Sequence, residues 1–250
     1  MLVLKRWVCL PENMKNEDVK KYHEILYKKR LSLLIKRIFD LVASCIILIL
    51  LSPIFLIIGT VIKIDSKGPV IFYQTRVTQY GKKFNIFKFR TMVNNAEKLG
   101  TQVTTSNDNR ITRVGKFLRK YRLDELPQLI NILLGDMSFV GTRPEVTKYV
   151  EQYTKEMLAT LLLPAGVTSK ASISYRDEEK ILKVAEDADK IYVTEVLPQK
   201  MKYNLSSLES YSLREDVETI YQTFTTIFIK DVTRKSDSNT NRNKSYEVNK

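Results

Sequence analysis

The sequence predicts a mainly helical α+β fold, a membrane helix joined to a small domain built around one β-hairpin. Three observations point there. Residues 41–62 form an apolar run of twenty-two uncharged residues. Residues 70–77 and 83–90 are rich in β-branched and aromatic side chains and are separated by Thr78-Gln79-Tyr80-Gly81, the pattern of a hairpin. Elsewhere apolar residues recur at helical spacing.

Residues 1–35 read as a peripheral N-terminal extension. Val19, Tyr22, Ile25 and Leu26 repeat at helical spacing among basic residues, which suits a segment on a membrane surface, with His23 solvated. A membrane unit follows at 36–66. At ~1.5 Å per residue its apolar run reaches ~33 Å, enough to cross a bilayer core. A spanning helix and a re-entrant one (helix-break-helix) are both open, and two features favour re-entry. Pro53 removes a helical hydrogen bond near the middle of the run, and Ser52 can serve the freed backbone groups. Both flanks are basic, with Lys28, Lys29, Arg30, Lys36 and Arg37 before and Lys63, Lys67 and Arg76 after, so the positive-inside rule draws both ends to the cytoplasm.

Residues 67–229 read as one cytosolic domain. After the hairpin come a short helix at 92–99, a polar loop at 100–109 and a helix at 113–121 with Val114, Phe117, Leu118 and Tyr121 on one face. Another helix starts around Leu126-Pro127, with proline in its first turn, and ends at Gly135. Helices also fit 144–160, 177–187, 189–203 and 213–229. The tail 230–250 has too little apolar content to fold.

Composition excludes much chemistry. Cys9 and Cys45 form neither a disulfide framework nor a CxxC pair. A single histidine, His23, argues against Ser-His-Asp triads and His-rich zinc sites. The eight glycines are scattered, so there is no GxGxxG or Walker-type loop. What remains is a net charge of +13 among 250 residues, and it is local. Residues 63–122 carry +11, directly after the apolar run, whereas 123–229 carry −6. Such a patch suits nucleic acid, anionic lipid or a phosphorylated substrate, or is simply a solvated face.

The densest polar signal is Asp124-Glu125 at the threshold of the Pro127 helix. Arg113, Lys116, Arg119, Lys120 and Arg122 precede the pair, and Arg143 follows. In one reading Asp124 is an N-cap and Glu125 a first-turn partner of the helix dipole. In the other, neighbouring carboxylates divide labour at phosphorus, one as nucleophile and one as a Mg²⁺ ligand, while arginines clamp the phosphoryl oxygens.

Several motifs occur in order: Lys36-Arg37-Ile38-Phe39-Asp40, Ser52-Pro53, Gly68-Pro69-Val70-Ile71-Phe72, Lys88-Phe89-Arg90-Thr91-Met92, Arg119 with Leu123-Asp124-Glu125-Leu126-Pro127-Gln128, Gly135-Asp136-Met137-Ser138 and Gly141-Thr142-Arg143-Pro144. In these the chain resembles the bacterial sugar transferases, monotopic polyprenyl-phosphate phosphoglycosyl transferases, from about Lys36 to Phe228. The resemblance implies that Asp124 attacks the β-phosphate of a UDP-sugar, releasing UMP, and that polyprenyl (undecaprenyl) phosphate then takes the phosphosugar. It implies Mg²⁺ on Glu125, phosphate contacts from Arg119 and Arg143, and Lys88 and Arg90 lining the same site. It also implies a re-entrant helix broken at Ser52-Pro53, and Asp40 near the membrane entrance reads as an orienting or helix-pairing residue rather than a catalytic one. The setting it implies is the cytoplasmic face of the bacterial inner membrane, at the first membrane step of envelope glycoconjugate assembly, with downstream glycosyltransferases as possible partners.

Three departures stand out, of which the altered 164–176 loop bears on sugar or uridine recognition, whereas Thr142 alters loop stiffness and leaves Arg143 in register. Thr142 stands where proline is usual, Leu163-Pro164-Ala165-Gly166-Val167-Thr168-Ser169-Lys170-Ala171 replaces an Arg- and Trp-containing stretch, and Ser174-Tyr175-Arg176-Asp177 replaces Asn-Gly-Arg, with Arg176 kept for phosphate. Two rivals remain. One is a non-catalytic scaffold of a polysaccharide assembly complex. The other is a membrane-tethered nucleic-acid binder, against which the helix after Pro127 offers only Gln128 and Asn131 to a groove.

Overall fold

The computed structural model describes residues 4–94, 96, 108–175 and 188–228. Arg176, the helix predicted at 177–187 and the tail 230–250 lie outside the described residues, as does most of the stretch predicted as a short helix and polar loop at 92–109.

The N-terminal extension is not a peripheral segment. Helix α1 (Glu17–Lys28) begins where the Asn16 side chain accepts from Val19 N, with Glu17 and Asp18 in its first turn. Val19, Tyr22 and Leu26 face inward and join Leu4, Leu10 and Met14 in one core cluster with Ala159, Leu161, Leu162, Leu205 and Leu208. His23 is buried rather than solvated. Its Nε2 lies 2.8 Å from Lys5 O, and its ring stacks on Tyr27 and meets Trp7 edge-on. Helical spacing identified the apolar stripe, but the stripe is covered by the chain's own core.

Helix α2 (Arg30–Asp65) is continuous through Ser52 and Pro53, where the sequence predicts a break. Pro53 cannot donate to Ile49 O, the acceptor four residues back, and the Ser52 hydroxyl donates to that same carbonyl at 2.8 Å. One face of α2 is buried at Leu33, Lys36, Arg37, Asp40, Ser44, Ile58 and Ile62, while Leu50, Leu56 and Ile64 lie exposed on the other. It is long and apolar enough to cross a membrane.

Both ends of α2 are tied to the same domain. Near its start Lys36 pairs with Asp216 at 2.8 Å, Arg37 donates to Ile132 O and Leu133 O at 2.7 and 3.3 Å, and Asp40 accepts from Phe139 N at 3.3 Å. Asp40 thus ties this end of α2 to the backbone at Phe139. Near its end Asp65 accepts from Val114 N at 3.2 Å, and Arg90 reaches the last carbonyls.

The hairpin forms as expected. Strands β1 (Ile71–Val77) and β2 (Lys83–Phe89) pair antiparallel, Ile71 opposite Phe89 and Val77 opposite Lys83. Its turn places Tyr80 and Gly81 at φ 60° and 76°, a conformation glycine adopts without a Cβ penalty. Helix α3 (Arg113–Lys120) is capped by Thr112, whose side chain accepts from Gly115 N. Glycine is required at 115, because a Cβ there would lie 2.0 Å from Thr91 O. Helix α4 (Gln128–Leu134) ends at Gly135 with φ 92°.

A parallel pair escaped the sequence reading: β3 (Met137–Val140) beside β4 (Ala165–Thr168). The predicted helix 144–160 is also replaced, by a short α5 (Thr147–Val150) and a 3-10 segment at Met157–Leu162. Thr154 is one reason, since its hydroxyl takes the Met157 N–H that a continuing helix would have used. The C-terminal part adds α6 (Lys170–Ser174), α7 (Ala188–Ile191), a π-helical turn at Tyr192–Val196, α8 (Leu197–Glu209) and α9 (Leu213–Phe228).

Candidate active site

Three elements converge on Glu125. Alternation along β2 puts Lys88 on the face opposite the buried Phe89. After α3 the chain turns at Arg122, a non-glycine residue at φ 57°, a left-handed conformation that costs about 1 kcal/mol or more. A 3-10 turn at Leu123–Glu125 then presents the two carboxylates. Beyond β3 the backbone carries Arg143 past the close approach of Gly141 and Gly166, where a Cβ on Gly166 would lie 2.2 Å from Gly141 N. Lys88 Nζ sits 3.3 Å from Glu125 Oε1, while Arg143 forks onto both Glu125 oxygens, Nη1 to Oε2 at 3.4 Å and Nη2 to Oε1.

The paired carboxylates are in unlike surroundings. Burial pushes the Glu125 carboxyl up, but the charges of Arg143 and Lys88 and the Arg143 hydrogen bond more than offset it, holding it well below the usual carboxylate range. Asp124 is raised, by burial first and then by the charge of Glu125, against the opposing charges of Lys88, Arg119 and Arg122. Its Oδ1 is buried with no hydrogen-bond partner. Asp124 is not an N-cap, since Pro127 occupies that position and no side chain caps α4. Burial pushes the Lys88 ammonium down, which Glu125 partly reverses.

Arg119, at the end of α3, adds its charge to the field at Asp124, and its Nη1 is buried without a partner. Arg90 is not brought to this site. Its guanidinium donates to Ser66 O at 2.7 Å, Lys67 O at 3.2 Å and Ile62 O at 3.4 Å, so it caps the C-terminus of α2. By alternation Arg90, two residues beyond Lys88, would share its face, but it lies past the end of β2 and its side chain turns to the end of α2 instead. Ser52 and Pro53 lie within α2, and Arg176 is outside the described residues.

One cluster was missed. Glu145 is buried, accepts from the Tyr192 hydroxyl at 2.5 Å, and lies 3.5 Å from Lys200 Nζ and 4.0 Å from Arg76 Nη1. Arg76 also donates to Pro144 O at 3.3 Å, beside Arg143. The signal was faint, since Arg76 counted only as a flanking charge and Glu145 sits in an unremarkable Pro-Glu step.

Among the described residues no group of three or more His, Cys, Asp or Glu side chains converges as a ready-made metal cage. The Asp124-Glu125 pair, with its orphaned Oδ1, still fits a hard cation of the Mg²⁺ kind, which takes one or two carboxylates and completes its shell with phosphate oxygens and water. The nucleic-acid reading loses its footing here. Gln128 and Asn131 are both buried, and Asn131 is spent on β2, accepting from Phe87 N at 3.0 Å and donating to Asn85 O at 2.8 Å.

A family model and several relatives match this chain. The family model described as "Bacterial sugar transferase" matches residues 31–230. The chain is 37% identical over 196 residues to the UDP-N-acetylgalactosamine-undecaprenyl-phosphate N-acetylgalactosaminephosphotransferase of Aeromonas hydrophila, covering 77% of this chain and 43% of that protein. It is 38% identical over 199 residues to the UDP-glucose:undecaprenyl-phosphate glucose-1-phosphate transferase of Klebsiella pneumoniae, covering 77% of this chain and 40% of the relative. It is 32% identical over 199 residues to the protein of the same name from Caulobacter vibrioides, covering 78% and 70%. The chain thus spans about two fifths of the length of the first two relatives.

Proposed function

The chain belongs to the bacterial sugar transferase family, and from that premise we propose that it moves a phosphosugar from a UDP-sugar to polyprenyl (undecaprenyl) phosphate at the cytoplasmic face of the bacterial inner membrane. The observation that carries the mechanism is the contrast between the two carboxylates. Glu125 is gripped by Lys88 and Arg143, whereas Asp124 Oδ1 beside it is buried without a hydrogen-bond partner. An oxygen with no donor on it keeps its lone pairs for phosphorus.

Asp124 attacks the β-phosphorus of the UDP-sugar. The bond from that phosphorus to the oxygen bridging it to the α-phosphate breaks, and UMP leaves with the electron pair. A phosphate oxygen of the polyprenyl phosphate then attacks the same phosphorus, and the acyl-phosphate P–O bond breaks to restore the Asp124 carboxylate. Lys88 and Arg143, held by Glu125 in the free protein, are placed to exchange that partner for the incoming diphosphate. Arg119, with a free buried Nη1, is a further donor for phosphate. Mg²⁺ on Glu125, with Asp124 beside it, would supply charge neutralisation of the phosphoryl oxygens.

The membrane part of the reading rests on the two tethers of α2. A domain on one side of the bilayer that holds Lys36 and Asp40 near one end of a helix and Asp65 near the other draws both ends to its own side. Pro53 is the point at which α2 can bend. The product, a polyprenyl-diphosphate sugar, suits the first membrane step of envelope glycoconjugate assembly.

Purified protein in detergent is expected to release UMP from a UDP-sugar and to carry a phosphosugar on Asp124 detectable by mass spectrometry. Asp124→Asn removes both, and turnover by that variant would refute the covalent route.

A further inference from the structure

Gln128 begins α4, one turn after Asp124. It is 1% exposed, yet neither its Nε2 nor its Oε1 has a hydrogen-bond partner. A buried, unpaired carboxamide destabilises a fold, and leucine or methionine would fill the same space without that penalty. Asn131, three residues on and equally buried, shows the usual outcome, with both its amide atoms bonded to β2. The orphaned atoms of Gln128 therefore do not follow from burial in α4 alone.

The backbone says what the carboxamide faces. Leu126 (φ −53°, ψ −37°) and Pro127 (φ −61°, ψ −14°) are helical, so the 3-10 turn of Leu123–Glu125 runs into α4 without reversal. The hydrogen bonds here run three residues back, Leu126 N to Leu123 O and Leu129 N to Leu126 O, so Asp124 and Gln128 are about one turn apart on a continuous right-handed stretch and within side-chain reach of each other. Asp124 Oδ1 is, like both amide atoms of Gln128, buried without a hydrogen-bond partner.

We propose that Gln128 is the positioning residue of the nucleophile, an inference that rests on the transferase reading above. In the reacting complex Nε2 donates to one carboxylate oxygen of Asp124, which turns the other toward phosphorus. The same Nε2 bond then falls on the acyl oxygen of the phosphosugar adduct, where it stabilises the carboxylate as it departs in the second step. In the free protein both groups stay unpaired, a stability cost of function.

The test is Gln128→Met, assayed beside wild type in detergent for melting temperature and for steady-state UMP release. The expected result is a raised melting temperature, a KM for UDP-sugar within about twofold of wild type, and a kcat lower by about 10- to 100-fold, the range a slightly misplaced reacting group produces. A purely structural role would not raise stability while lowering kcat. Gln128→Glu, which keeps the shape but loses the Nε2 donor, is the second variant, and its kcat is expected to fall without a rise in melting temperature. Undiminished kcat in either variant, or a lowered melting temperature in Gln128→Met, overturns the proposal. If wild type released UMP from no UDP-sugar, the transferase reading would fail with it, whereas active wild type with an equally active Gln128→Met defeats the Gln128 assignment alone.

Discussion

Replacing Asn131 with leucine removes the link between α4 and the open edge of β2. The wild-type side chain accepts from Phe87 N at 3.0 Å and donates to Asn85 O at 2.8 Å, and it is fully buried. Leucine is close in volume and fits a helix, so neither packing nor propensity opposes the change. What remains is a buried N–H and a buried C=O on β2 without partners. At about 1–3 kcal/mol each, the loss is about 2–6 kcal/mol, a large share of the stability of an ordinary domain. At about 2–4 °C per kcal/mol for a chain of this size, that is a fall of about 4–24 °C in melting temperature. Asn131→Asp keeps the acceptor for Phe87 N but loses the donor to Asn85 O, so it is expected to fall between leucine and wild type. Melting followed by far-ultraviolet circular dichroism in detergent measures both. Because Phe87 adjoins Lys88, the leucine variant is also expected to show weaker substrate binding, read as a raised KM for UDP-sugar. A melting temperature within 2 °C of wild type (roughly the effect of 1 kcal/mol or less) would refute the claim that these two bonds hold β2 in place.

Two further outcomes follow from other parts of the structure. Arg90→Leu strips the C-terminal carbonyls of α2 of their donor and is expected to cost about 2–4 kcal/mol while leaving KM for UDP-sugar within about twofold. A large change in KM without destabilisation would return Arg90 to the substrate site. Asp108, bonded through its carboxylate to Arg110, is held down at about 2 from 3.8, chiefly by that side-chain hydrogen bond. A depressed carboxyl contributes stability above its unfolded value that is lost as pH falls through the folded one, so this contribution is expected to vanish between about pH 4 and pH 2. Urea midpoints measured over that interval should fall less steeply for Asp108→Asn, and equal slopes would remove Asp108 from the acid sensitivity.

Much of the fold could be read locally. The hairpin falls within a residue of its predicted strands because β-branched and aromatic residues flank a turn with Gly81 at positive φ. Helix α2 follows from an uninterrupted apolar run, and α3 from its apolar face and the Thr112 cap. The Asp124-Glu125 pair stood out because acidic residues are scarce in the basic stretch before it. The pair β3 and β4 was hidden for the opposite reason. Each strand has four residues, too few for a period of two to register, and each forms only because the other lies beside it. The helix predicted at 144–160 failed where Thr154 bonded its own backbone, a local competition that apolar spacing does not report.

Local signals were enough for the hairpin, the long apolar helix, and the carboxylate pair with the cations that precede and follow it, because these depend on composition and on short-range periodicity. Only the tertiary structure decided partners. It took Lys88 and Arg143 to Glu125, left Asp124 and Gln128 unpaired, sent Arg90 to the end of α2, and folded residues 4–28 into the core. Long charged side chains carry no periodic signature of their destination. Where they bond is settled by which backbone ends and carboxylates come within about 3 Å once distant elements have packed.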